Sequence, residues 1–304
     1  MGVSDPHRMV FVGGAHRSGT TVLAKVMAAS SEIAGLVGTG VPEDEGQHLQ
    51  TVLPIAMELG GPTRWALHPE AHEDAAPEPM REDMRRTIEE AWEPYWSSDA
   101  SLRVEKSPPN VARLPFLQSV WPDARFIVIT RHPLIQALAV HKWDRSLPML
   151  LPTLGLRFEG TLDNWFAIHE GLAADAPGIR NLLVLRYEHL MRDPARELGK
   201  VSEFLGLSEP LDASMIDAAR SDAYRGFVES QRTRRWGPHP PVMSPTRQRS
   251  GLKWSMYGSS WAVVSRVDSL TGRYTRIAER YEDRARALGY SMHDLDDVRE
   301  FVGS

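Results

Sequence analysis

The sequence predicts an α/β fold, a doubly wound parallel sheet flanked by helices, on three observations. Three short runs, residues 9–12, 126–129 and 182–185, are rich in Val, Ile, Leu and Phe without polar alternation, as expected of strands buried on both faces. Each run is followed by residues at helical spacing, so that strand, loop and helix repeat along the chain. With 304 residues and 42% apolar side chains, the chain can bury a substantial core.

The elements follow in order. After the first run, Val22, Leu23, Val26 and Met27 share one helical face. Residues 79–96 carry helical spacing through Met80, Met84, Ile88, Trp92 and Trp96. After the second run, residues 133–143 read as a helix whose first turn suits Pro133. After the third run come Leu190 and then Leu198, Val201, Phe204 and Leu205. A long helix is expected over 261–288 from Trp261, Val264, Val267, Leu270, Tyr274, Ile277, Tyr281 and Leu288. Residues 221–251 are crowded with Arg, Pro, Gly and Ser and read as a long lid loop. No repeat or linker shows, so residues 1–304 are expected to form one domain, with 1–8 as an N-terminal tail.

Composition narrows the functions. The 35 Lys plus Arg against 40 Asp plus Glu leave a net charge of −5, which argues against a protein held by nucleic acid phosphates. Any anion site must be built locally. The chain has no cysteine, which excludes disulfides, thiolate metal sites and thiol nucleophiles. Without a signal-like start or a run of about 18 apolar residues, an unexported, cytoplasmic protein with no membrane span is expected. Gly2 does not read as a myristoylation signal, because Pro6 stands where Ser or Thr is wanted. His68 and His72 are four apart, but Pro69 disfavours a helix through them and no metal site is expected. Arg232, Arg234, Arg235, Arg247 and Arg249 lie among Pro and Gly and read as a lid over an anionic ligand rather than a nucleic acid patch.

The most informative segment is Gly13-Gly14-Ala15-His16-Arg17-Ser18-Gly19-Thr20-Thr21, directly after the first strand and opening the first helix. Unpaired N–H groups and the helix dipole favour an anion there, and glycines let the main chain approach closely. Gly14 and Gly19 match the frame GxxxxGK[ST], but Thr20 replaces the lysine, and the cation has moved to Arg17. No Asp stands at the end of the second run to help hold magnesium. The plain alternative is a glycine-rich turn with capping hydroxyls.

The segment His16-Arg17-Ser18-Gly19-Thr20-Thr21 resembles the phosphosulfate loop, PRSGTT, of the PAPS-dependent sulfotransferases, with His16 in place of Pro. Three further segments resemble the same family in the right order, so the likeness spans residues 9 to about 206. It implies a P-loop NTPase-like sulfotransferase fold, PAPS as sulfuryl donor with PAP as product, and no metal. In Arg125-Phe126-Ile127-Val128-Ile129-Thr130-Arg131-His132-Pro133 it makes Arg131 a ligand of the 3′-phosphate, a role its forked guanidinium suits. The family's Ser eight residues later is Ala139 here. Arg186-Tyr187-Glu188-His189-Leu190 and Phe204-Leu205-Gly206 resemble the YEDL and FLG signatures. They place Tyr187 against the adenine and make Glu188 and Phe204 capping and packing residues. Glu105-Lys106-Ser107-Pro108 matches EKSP, and Lys106 at a strand end is expected on the transferring sulfuryl oxygens or the acceptor. Arg249-Ser250-Gly251 is the candidate for the family's late basic loop on the 3′-phosphate.

The resemblance also implies a carboxylate base, on a pattern like PExHFL, within Thr39-Gly40-Val41-Pro42-Glu43-Asp44-Glu45-Gly46-Gln47-His48-Leu49. Aligning Leu49 makes the base Glu45; aligning Pro42 makes it Glu43. Glu45 is preferred because His48 then falls near the family's His or aromatic position, with His48 itself a second-line base. Arg17 is expected to stabilise charge on the leaving phosphate. The acceptor is expected to be a small molecule, lipid or carbohydrate, in a pocket walled by residues from 53–100 and 145–165 including Trp65, Trp92, Trp96 and Phe158. The alternatives are a P-loop small-molecule kinase and a catalytically silent nucleotide-binding module. Oligomeric state is not legible.

Overall fold

The computed structural model describes residues 7–141, 154–217, 224–226, 228, 229 and 270–301. Five parallel strands form one sheet in the order β2-β3-β1-β4-β5, with β1 at Arg8–Gly13, β2 at Ile33–Gly35, β3 at Leu102–Lys106, β4 at Arg125–Thr130 and β5 at Leu182–Arg186. The helices that cover it are α1 (Thr20–Ala28), α2 (Arg81–Trp92), α3 (Leu114–Val120), α4 (Pro133–His141), α5 (Leu154–Asp175), α6 (Tyr187–Arg192), α7 (Pro194–Leu205) and α8 (Arg273–Ala287).

Alternation along the strands divides the core into two layers. Val10, Val12, Ile127 and Ile129 pack with Leu23, Val26 and Met27 of α1 and Leu198, Val201 and Leu205 of α7. On the other face, Phe11 stacks on Phe126 with centroids 5.8 Å apart and lies 5.1 Å from Trp121, which stacks on Trp92 at 6.0 Å. Both faces are therefore apolar, which is why the three runs lack polar alternation.

The three strands read from the sequence are β1, β4 and β5, but β1 begins at Arg8, inside the stretch read as a tail. Two strands escape the apolar-run criterion. β2 has only three residues, and β3 reads Leu-Arg-Val-Glu-Lys while every residue is buried. Its charges are matched locally: Arg103 donates to Glu93 at 2.8 Å and lies 5.2 Å over the ring of Trp96, while Glu105 and Lys106 meet the loop described below. The helix expected over 79–96 is α2 between two 3₁₀ turns, closed where Pro94 follows it. The helix expected over 261–288 is α8, entered at Gly272 with φ 64°; residues 261–269 lie outside the described residues, as does most of the expected lid at 221–251, including the arginines 232, 234, 235, 247 and 249.

The C-terminal segment closes over the carboxyl ends of β4 and β5. Buried Arg186 donates from Nε to the Arg299 carbonyl at 2.9 Å, from Nη2 to that of Leu288 at 2.8 Å and from Nη1 to Thr130 Oγ1 at 3.1 Å. No helix among the described residues is long and apolar enough to cross a membrane.

Candidate active site

β1 ends in Gly13 and α1 begins at Thr20, so the loop between them sits at the carboxyl edge of the sheet's central strand, where ligands of open α/β sheets bind. A side chain at Gly14, φ 153°, would meet the Ile129 carbonyl oxygen at 2.4 Å and Ser18 Oγ at 2.7 Å. Gly19, φ 111°, lies so close to Tyr187 that a Cβ would meet its ring at 2.8 Å. Only glycine fits these two positions, and the chain turns between them through Arg17 at φ 69°. α1 has no side-chain cap and no acidic residue in its first turn, so its positive end is left uncompensated. Ser18 Oγ is buried without a hydrogen-bond partner among the described residues, a donor suited to an anion in the loop.

His16 is partly covered, and burial, reinforced by Lys106, Arg17 and His48, lowers its pKa to about 3. It is therefore neutral at physiological pH. Its carbonyl accepts from Gln136 Nε2 of α4 at 2.6 Å, which anchors the loop to the next unit. Arg17 reaches solvent, yet enough protein surrounds it that lost hydration lowers its guanidinium pKa, with Arg131 adding like-charge repulsion.

Arg131 follows the last residue of β4 and is 6% exposed. Its Nη1 donates to the Arg17 carbonyl at 2.9 Å, and its guanidinium lies 4.1 Å over the Tyr187 ring. The Tyr224 ring lies 5.8 Å from the guanidinium, no carboxylate forms an ion pair with it among the described residues, and the buried Glu188 carboxylate interacts with it at longer range. The turn is rigid: the Arg131 carbonyl accepts from Trp165 Nε1 at 2.9 Å, the His132 N–H donates to Glu188 Oε1 at 2.8 Å, and His132 Nε2 meets the Ser291 carbonyl at 3.0 Å. Glu188 thus does cap the start of α4, as its motif implies, and burial raises its pKa. Ala139, the position lacking the expected Ser, is buried in α4.

The acidic loop returns to this edge. Lys106, paired in register with Val12 next to the glycine loop, donates to Glu45 Oε1 at 2.9 Å and to the Glu43 carbonyl at 3.1 Å. Gln47 Nε2 donates to the other Glu45 oxygen at 2.6 Å, and His48 Nε2 lies 3.8 Å from it. Glu43 has an exposed side chain at φ 54°. The Asp44 carboxylate is occupied by Thr39, whose hydroxyl donates at 2.6 Å and holds its pKa down. Of the three acids, only Glu45 is buried against the cation.

Arg17, Arg131, Lys106, Glu45 and His48 therefore share one edge of the sheet with the glycine loop, and Arg249, Ser250 and Gly251 lie outside the described residues. The aromatic acceptor wall is corrected by burial. Trp65, Trp92 and Phe158 are core residues, 0%, 4% and 7% exposed, and half-buried Trp96 is covered by Arg103. Apolar packing accounts for Trp92 and Phe158, whereas Trp65 Nε1 is buried without a hydrogen-bond partner among the described residues. The paired histidines are also used locally: His68 Nδ1 accepts from the Glu70 N–H at 3.4 Å, and His72 Nε2 meets the Ala66 carbonyl at 2.8 Å. No group of three His, Asp or Glu among the described residues is arranged to hold a metal ion. Asn110 and Gln136, which fasten the loops together, carry no motif signal because their partners are distant in the chain, and the EKSP match that includes Ser107 does not reveal its bond to Gln47.

In comparison with known proteins, the family described as Sulfotransferase family matches residues 9–211. Two human relatives, heparan sulfate glucosamine 3-O-sulfotransferases 3B1 and 3A1, are each 30% identical over 125 residues, 36% of this chain and 32% and 31% of theirs. The matched part is thus about a third of the length of those relatives. Among solved structures, a sulfotransferase from Alicyclobacillus acidocaldarius is similar at 16% identity and TM-score 0.45, covering 75% of this chain and 92% of that one. Sulfotransferase STF9 from Mycobacterium avium is similar at 18% identity and TM-score 0.45, covering 74% and 69%.

Proposed function

Because this chain belongs to the sulfotransferase family, we propose that it transfers a sulfuryl group from PAPS to a hydroxyl or amine of a small-molecule or glycan acceptor by in-line displacement, with Glu45 as general base. The observation that carries this reading is the buried Glu45–Lys106 pair beside the glycine loop. It brings a proton acceptor and a cation to the positive end of α1, which is what attack on an anionic group requires.

Gly14 and Gly19, with the α1 amides, would hold the 5′ phosphosulfate side of the donor, joined by Ser18 and by the hydroxyls of Thr20 and Thr21. Ser18 Oγ, without a partner among the described residues, and the helix end fit such an anion. Arg131 would hold the 3′-phosphate and Tyr187 the adenine, and the stacking of one on the other keeps both in a single geometry. When bound, the donor supplies an electrophilic sulfur and a bisphosphate leaving group. Arg17 stabilises charge on the leaving side, and Lys106 the charge on the transferring oxygens. Glu45 accepts the acceptor's proton; a positioned base contributes roughly 10²- to 10⁴-fold in rate. His16, being neutral, supplies a hydrogen bond to the donor and no charge.

Two measurements test this. Incubation with [³⁵S]PAPS and a cell extract should label an acceptor in a Glu45-dependent manner. In calorimetric titration with PAP, Arg17→Ala and Arg131→Ala should each weaken binding about 10- to 100-fold, since each removes a charge-assisted contact of roughly 1.5–3 kcal/mol. Unchanged affinity in both variants rejects the donor site.

A further inference from the structure

We infer that Glu105 is a positioning residue that locks the Glu45 loop to the phosphate-loop strand, an inference that rests on the reading of Glu45 as base. Glu105 is 1% exposed and stands immediately before Lys106 in β3. One carboxylate oxygen accepts the Gly46 N–H at 3.0 Å and the Ser107 hydroxyl at 2.6 Å, and the other accepts Asn110 Nδ2 at 2.6 Å. These three donors belong to the two segments that must stay in register. Gly46 is the residue after Glu45. Asn110 also donates to the Val12 carbonyl at 3.2 Å, and Pro108 of the same turn accepts the Gly14 N–H at 3.1 Å.

The hold has further points. Ser107 Oγ, having given its proton to Glu105, accepts the Gln47 N–H at 3.0 Å, and Trp92 Nε1 donates to the Gly46 carbonyl at 3.0 Å. Packing leaves no slack, because a Cβ at Gly46 would meet Glu105 Cγ at 2.7 Å and Trp92 Nε1 at 2.8 Å. Every partner of the carboxylate is a donor, so the ionised, acceptor-only form matches the site. Burial raises the Glu105 pKa, and the Ser107 and Asn110 hydrogen bonds oppose that rise. The hydrogen bonds of the Glu105 carboxylate go to Gly46, Ser107 and Asn110, and to neither the Glu45 carboxylate nor the Lys106 ammonium. Its effect on transfer passes through the backbone between Glu45 and Gln47, the residues that present the carboxylate and its amide partner.

The experiment compares Glu105→Gln, Glu45→Ala, their combination and Gly46→Ala. Label transfer from [³⁵S]PAPS to a cell extract, PAP affinity by calorimetry and hydrogen exchange of residues 42–49 are measured for each. Glu105→Gln keeps the shape but turns an N–H₂ toward a donor. It should lower transfer roughly 10²-fold, approaching Glu45→Ala, and leave PAP affinity within about threefold. It should speed exchange in 42–49 and cost nothing further in the Glu45→Ala background; Gly46→Ala should reproduce it from the other side of the contact. Losses that multiply in the double variant, a collapse of PAP affinity, or unchanged exchange overturn the inference. If Glu45→Ala transfers normally, the base reading fails. If Glu45→Ala is crippled while Glu105→Gln transfers normally, the positioning role alone fails.

Discussion

Replacing Lys106 with Met tests the energetics of the site at its most enclosed point. The side chains of Lys106 and Glu45 are 6% and 10% exposed and meet at 2.9 Å. An exposed pair of similar geometry, Arg86 with Asp83 at 2.6 Å and 60% and 73% exposure, is worth about 0–1 kcal/mol. Removing one partner of a buried pair costs about 3–5 kcal/mol, because the other charge is left without compensation. Gln47 still donates to Glu45 at 2.6 Å, which places Lys106→Met at the lower end, about 3 kcal/mol. Adding Glu45→Gln removes the stranded charge, so the double variant should recover most of that loss. The assay is urea unfolding at pH 7, followed by tryptophan fluorescence, for all four members of the double-mutant cycle. The expected coupling is about 2–3 kcal/mol; a value near that of an exposed pair, below about 0.5 kcal/mol, would refute the placement of these charges.

Two other outcomes are expected. Gly19→Ala puts a Cβ at φ 111° and 2.8 Å from the Tyr187 ring. Conformational strain and overpacking together should cost roughly 2–4 kcal/mol, read as a lowered urea midpoint, and displacement of Tyr187 from beneath Arg131 should weaken PAP binding; a variant matching the parent in both fails the contact. His169, buried and stacked on Trp165 at 3.8 Å, has its pKa lowered to about 3 by burial, as does His16. The unfolded chain takes up these protons below pH about 6.5 while the folded chain refuses them, so stability falls as pH drops from there toward 3. Each fully neutral His contributes up to ~1.4 kcal/mol per pH unit. His169→Gln should remove about one such contribution from the slope of unfolding free energy between pH 6 and 4.5, and an unaltered slope would show that His169 takes up its proton in the folded state.

Much of the fold is written in the sequence. Strands buried between two apolar layers stand out as apolar runs, as β1, β4 and β5 do, and the glycines of the loop after β1 are legible because backbone conformation leaves no other choice there. Motifs of adjacent residues, such as Arg17 to Thr21, survive in one dimension because their chemistry is local.

What only tertiary structure decided were the relations between distant segments. β3 is invisible to an apolar criterion, because its Arg103, Glu105 and Lys106 are buried only by virtue of partners at 93, 46, 110 and 45. The order of Glu43, Asp44 and Glu45 says nothing about which acid faces a cation. Folding buries Glu45, since Lys106 and Gln47 converge on it, while Thr39 occupies Asp44 and the exposed Glu43 carries its charge toward Arg17. The aromatic side chains read as an acceptor wall went to the core instead, because large apolar surface is stabilised wherever it can be buried and the sequence records its amount but not its destination.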